Sequence, residues 1–276
     1  MKVSNIIPYF NEELKGITDA REITSWAYLV IKYILGLNRS DTIIYSNTVL
    51  SIKDSDSMKQ IIKELKKNKP IQYILGETEF CGLKFKVNKY TLIPRSETEE
   101  LVEWILQEEF SSALDIGTGS GCIAIALAKQ TNAFITAIDI SEDALNVAKQ
   151  NSRINRVEIN FLYQDILKTS ILPKVDVIVS NPPYVLESEK QYMKEDVLQF
   201  EPPLALFPPS EDPLLFFKII GNLAAKSLNR GGKLFFEINE QYGSEILKIL
   251  AKIGFVDIAL KKDINDKDRM IKAIRK

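Results

Sequence analysis

The 276-residue sequence predicts an α/β fold, with a mainly parallel sheet wound between helices and a small helical domain ahead of it. Three observations predict it. Beyond residue 96, short apolar runs rich in Val, Ile and Ala alternate with helix-period segments, the pattern of parallel strands joined by crossover helices. A glycine turn, Gly117-Thr118-Gly119-Ser120-Gly121, stands between an apolar run and an Ala- and Leu-rich helix. Up to about residue 70 the apolar residues recur at helical spacing.

In chain order, Trp26, Leu29, Val30, Tyr33 and Ile34 form the apolar face of a helix over 25–35, closed by Gly36. Shorter helices are predicted over 41–50 and 57–67, with Asp41 and either Asp56 or Ser57 as caps. Lys59, Lys63, Lys66, Lys67 and Lys69 read as a solvated helix face, or as a contact for an acidic partner or RNA. From 71 to 87, β-like pieces punctuated by Gly76 and Gly82 predict a hairpin, so that 71–95 links the helical domain (1–70) to the α/β domain (96–276). There a helix over 97–107 precedes strands over 113–116, 134–138, 158–163 and 175–180. The long stretch 185–213, rich in Glu and Pro, is expected to be a lid. A helix over 214–228, a Gly231-Gly232 turn, a strand over 233–238, a helix over 244–253 and strands over 255–260 and 270–274 complete the sheet, the last two as an antiparallel pair at one edge.

Composition narrows the function. Lys and Arg number 36 against 37 Asp and Glu, a net charge of −1, which disfavours DNA as a partner. Cys81 and Cys122 are far apart and lack zinc-ligand spacing, so no metal is expected. No apolar run reaches membrane-spanning length, and a cytoplasmic setting is expected.

The chemistry concentrates after the run 175–180. Asn181-Pro182-Pro183-Tyr184 falls at the carboxyl end of a predicted parallel strand, where open α/β sheets bind ligands. Pro182 and Pro183 have no N–H, so the loop offers carbonyl acceptors with two donors deleted. Asn181 adds an acceptor and Tyr184 a flat ring with a polar tip. Such a pocket suits a planar NH2 group. At the same sheet edge, Gly117, Thr118, Gly119 and Gly121 form a turn that lets a ligand approach the backbone. Asp139, ending the second strand, is placed to accept from a ribose diol. Asp165, after the third, would accept from an exocyclic adenine amine. Asp115 would brace the loop or meet a cationic amine. Taken singly, each has a plainer reading as turn or cap; their common edge is what points to a nucleoside ligand with a positive end.

These residues carry a resemblance. The glycine turn, Asp139 and Asn181-Pro182-Pro183-Tyr184 resemble the Rossmann-like class I amino methyltransferases. Pro70-Ile71-Gln72-Tyr73-Ile74-Leu75-Gly76, Phe80, Ile93-Pro94-Arg95-Ser96-Glu97-Thr98-Glu99 and Glu201-Pro202 resemble, more narrowly, the peptide chain release factor glutamine methyltransferases. Ser96 departs from the proline usual in that family. The resemblance implies S-adenosyl-L-methionine as cofactor and, as substrate, a release-factor glutamine on an exposed, glycine-flanked loop. It implies Asn181, Pro182 and Tyr184 as catalytic groups, with Tyr184 stacked on the amide, and Pro183 and Glu201 as further substrate contacts. A monomer is expected. Rival readings are methylation of a ribosomal-protein glutamine, methylation of an RNA or DNA amine, and a non-catalytic cofactor-binding adaptor.

Overall fold

The computed structural model describes residues 1–193 and 195–276; Lys194, in the expected lid, lies outside the described residues. The chain divides into two units. One holds Met1–Gly76 and the short helix Glu195–Phe200; the other holds Glu77–Met193 and Glu201–Lys276.

The first unit is helical: α1 (Ile6–Glu13), α2 (Ala20–Leu35), α3 (Arg39–Ile44), α4 (Ile52–Leu65) and α5 (Ile71–Leu75). α2 begins earlier than the expected residue 25, because the Asp19 carboxylate caps it by accepting from the N–H groups of Arg21 and Glu22. Gly36 closes it in the left-handed conformation. Asp41 is not the cap of α3; it lies inside the first turn and accepts from the Asn38 N–H at 2.8 Å. α3 also stops at Ile44, since the chain turns and Val49 bridges to Lys2. α4 is capped by Ser51 instead of Asp56 or Ser57. Residues 71–75, expected to be β-like, form α5 between Pro70 and a left-handed Gly76. A short apolar run does not distinguish strand from buried helix, and Ile71 faces a core of Ile6, Phe10, Val30, Met58 and Leu65.

The second unit opens with the antiparallel hairpin β1 (Glu77–Phe80) and β2 (Leu83–Lys86). Then follow α6 (Ser96–Ile105), β3 (Ser112–Ile116), α7 (Cys122–Gln130), β4 (Phe134–Asp139), α8 (Glu142–Asn155), β5 (Asn160–Tyr163) and β6 (Val175–Ser180). With Glu195–Phe200 as α9, the chain continues through α10 (Pro203–Leu206), α11 (Leu215–Ser227), β7 (Leu228–Glu237), α12 (Gly243–Ile253), β8 (Phe255–Lys262) and β9 (Asp268–Arg275). The expected lid stretch therefore holds short helical turns, one of them over Glu187–Tyr192. The Gly231-Gly232 turn lies within β7, where the register against β6 slips between Val175 and Val177.

The sheet order is β5-β4-β3-β6-β7-β9-β8. β3 to β7 run parallel, and β9 pairs antiparallel with both β7 and β8, as the edge pair predicted. Helices on both faces bury the strands: Leu114, Ile178, Phe236 and Phe217 pack on one side, Val177, Val179, Ile125 and Trp104 on the other. From β3 the chain winds outward to β5, then returns to β6 on the opposite flank. The loops after β3 and β6 are thus neighbours at the topological switch point, where such sheets bind ligands.

Candidate active site

The glycine loop is shaped by bonds to its neighbours. Gly117 and Thr118 both donate backbone N–H to the carbonyl of Ile138, at 2.9 and 3.1 Å. Asn151 of α8, fully buried, donates to the Ser120 and Lys86 carbonyls and accepts from the Lys86 N–H, tying loop to hairpin. The Ser180 hydroxyl donates to the Ile116 carbonyl at 2.7 Å, joining the ends of β6 and β3.

A cavity of about 580 Å³ opens at this edge, within the range of pockets that bury a small organic ligand. Gly117, Thr118 and Gly119 line it, as do Asp139 and Asp165. At Gly119, with φ +54°, a Cβ would meet nothing within 4 Å, so the loop backbone lies bare to the cavity. Asp139 Oδ2 accepts from the Gly119 N–H and Oδ1 from the Ser141 N–H, at 2.8 and 2.9 Å. Burial raises its carboxyl above the ordinary range despite these bonds. Asp165 accepts from the Leu167 N–H and pairs with Lys168 at 3.3 Å.

Asn181, Pro182 and Pro183 stand on the same wall. Among the described residues, nothing bonds the Asn181 side-chain amide, and the prolines bring no donors of their own. Open glycine backbone, two wall carboxylates and unspent acceptors together fit a cationic nucleoside beside a planar NH2 group.

Four expected contacts lie off the wall. Asp115 is 1 % exposed beneath the loop, where it accepts from the Thr118 hydroxyl at 2.6 Å. It braces, and burial pushes its carboxyl up to about 7, with Thr118 and the Ala124 N–H offsetting only part. Gly121 faces away from the cavity: its Cβ would come within 3.0 Å of Ile125 and 3.1 Å of Ala148, so it sets the approach of α7 to α8. Tyr184, half-buried, packs against the core and turns its hydroxyl to Glu237, at 3.3 Å. Glu201 pairs with Arg95 through Oε1, at 2.6 Å from Arg95 Nη2; it is Arg95 that reaches the wall.

Sequence reasoning missed Thr98, on the wall, and Glu237, to which it donates at 2.6 Å. Glu237 carried the same mark as Asp139, an acid closing an apolar strand. Thr98 stood within the Ile93–Glu99 segment that carries the family resemblance, with no role of its own read from it.

Fold and site define a class I methyltransferase. Residues 96–200 match the methyltransferase small domain family, and residues 9–76 match the PrmC N-terminal domain. A methyltransferase structure from Pyrococcus furiosus superposes with a TM-score of 0.55 at 20% identity, covering 71% of this chain and 90% of that one. The 16S rRNA N2 G1207 methyltransferase of T. thermophilus, in complex with AdoMet and guanosine, gives 0.52 at 16% identity, over 72% of this chain and 50% of its own. At these identities the likeness is one of fold. The release factor glutamine methyltransferase of Flavobacterium psychrophilum is 46% identical over 281 residues, 99% of each chain. That of Bacteroides thetaiotaomicron is 41% identical over 278 residues, 99% of this chain and 100% of its own. The chain belongs to the release factor glutamine methyltransferase family.

Proposed function

We propose that this protein methylates the side-chain amide nitrogen of a glutamine in a peptide chain release factor, in the cytoplasm, using S-adenosylmethionine. The observation that carries the reading is one cavity wall holding the bare glycine loop, Asp139 and Asp165 together with the unspent acceptors of Asn181 and Pro182. S-adenosylmethionine, bound there, supplies a methyl group on a positively charged sulfur. Asp139 and Asp165 would hold the ribose diol and the adenine amine. Asn181 Oδ1 and the Pro182 carbonyl would each accept one N–H of the glutamine amide. An amide nitrogen is a poor nucleophile, because its lone pair is delocalised into the carbonyl. Two acceptors on its hydrogens favour lone-pair density on nitrogen and fix its direction. Orientation of this kind supplies up to about 7–11 kcal/mol of a barrier. No side-chain base is assigned, as the chain has no His; the proton leaves to water after transfer. Residues 1–70 would hold the release factor away from its glycine-flanked loop.

The test offers methyl-labelled cofactor with separate pools of release factor, ribosomal protein and RNA. Label is expected in the release factor alone. Asn181→Ala should lower kcat by about 100-fold or more, the scale of losing one preorganised polar group, with S-adenosylhomocysteine affinity within about threefold. Label in another pool, or equal loss of affinity and turnover, would overturn the reading.

A further inference from the structure

Glu237 ends β7 directly behind the acceptor loop and takes no part in the chemistry described above. It is 3 % exposed. Oε2 accepts from Thr98 Oγ1 at 2.6 Å and Oε1 from the Tyr184 hydroxyl at 3.3 Å. Each donor belongs to a segment that meets the cavity. Thr98 stands on its wall in the first turn of α6, and Tyr184 directly follows Asn181, Pro182 and Pro183. Arg269 of β9 is near enough for its charge to act on both Glu237 and Tyr184. Arg269 also hydrogen-bonds the Tyr184 side chain, while its Nε donates to Asp263 at 3.0 Å and its Nη1 to the Ile238 carbonyl at 3.3 Å.

Two features separate this cluster from ordinary packing. A carboxylate this deep costs stability even when bonded, and apolar residues of similar volume commonly pack such positions at lower cost. The acceptor loop also has few other restraints. Its entry is held by Ser180 on the Ile116 carbonyl, its exit by the Val185 N–H on the Leu206 carbonyl at 3.0 Å. Between them, the side-chain hydrogen bonds of residues 181–184 among the described residues are those of Tyr184, to Glu237 at 3.3 Å and to Arg269.

We propose that Glu237 is a positioning residue for methyl transfer, clamping the acceptor loop through the Tyr184 hydroxyl and the first turn of α6 through Thr98. The inference rests on the methyltransferase reading above. It gives Tyr184 a role different from stacking: the ring fills the core and the hydroxyl sets where Asn181 and Pro182 stand.

The experiment compares Tyr184→Phe, Glu237→Gln, Glu237→Leu and the Tyr184→Phe/Glu237→Leu double variant in the full-length protein. Four quantities are read: kcat per S-adenosylhomocysteine-binding site, KM for the release factor, S-adenosylhomocysteine Kd, and hydrogen exchange of a peptide spanning 180–186. Tyr184→Phe and Glu237→Leu should each lower kcat about tenfold, with KM and Kd within about twofold and faster exchange in that peptide. Glu237→Gln, which keeps an acceptor, should recover part of the rate. The double variant should be no slower than the slower single one, because both remove the same contact. Losses that multiply would mean Tyr184 acts on the substrate directly and would overturn the clamp; so would wild-type kcat or unchanged exchange in Tyr184→Phe. If Glu237→Leu does not fold, Tyr184→Phe and Glu237→Gln still decide. A wild-type enzyme that methylates no release factor sinks the substrate assignment, while the exchange data still judge the clamp.

Discussion

Asp115 sits under the glycine loop with its carboxyl lifted by burial to about 7, from 3.8 for an ordinary aspartate. Between those values the folded chain keeps a proton that the unfolded chain has lost. Stability therefore falls as pH rises through that window and levels off above it, with a slope of at most about 1.4 kcal/mol per pH unit. Asp115→Asn cannot ionise yet still accepts from Thr118. Its Tm should move ahead of the wild type progressively from pH 4 to pH 7 and keep a constant lead beyond; a lead independent of pH would mean the carboxylate is already charged in place. At this scale the wall residues Asp139, Asp165, Asn181 and Pro182 were legible, because each closes or follows an apolar strand and strand ends share an edge. The part played by Tyr184 was not. Its hydroxyl is spent on a residue 53 positions away, and only the register of β6 beside β7 brings them together.

Elements explain why the three glycines of one turn are not equivalent. Gly119 and Gly121 both have left-handed backbones, at φ +54° and +82°, but only Gly121 would press a side chain against Ile125 and Ala148. The left-handed strain costs either alanine variant about 1–2 kcal/mol. Gly121→Ala adds crowding, so it should lose more Tm while the cofactor site keeps its shape. Gly119→Ala should lose less Tm and weaken S-adenosylhomocysteine binding about tenfold. Thermal melts and calorimetry on the pair check the ordering, which a reversal would refute. The parallel strands were readable from apolar runs too short to be helices. Residues 71–75 were not, since five residues with apolar ends at Ile71 and Leu75 suit either structure until their neighbours are known. The caps Asp19, Asn38 and Ser51 were passed over because the apolar stripes they introduce begin several residues later.

For the whole molecule, the cavity is built entirely from residues of the second unit. The cavity thus draws on no residue of the first unit. Removing residues 1–70 should leave S-adenosylhomocysteine affinity within about threefold while raising KM for the release factor at least about tenfold. Unchanged KM would confine recognition to the methyltransferase unit. Among the described residues no helix is long and apolar enough to cross a membrane, and no acidic or cysteine cluster could hold a metal ion. The near-balanced charge offers no general attraction for nucleic acid.

The Ser180 hydroxyl on the Ile116 carbonyl bears on all of this. It staples the ends of two adjacent strands, one leading to the glycine loop and the other to the loop of Asn181 and Pro182. Sliding one strand along the other is the motion that would pull those loops apart, and the staple opposes it. The glycine loop and the acceptor loop therefore leave the sheet from roots held side by side.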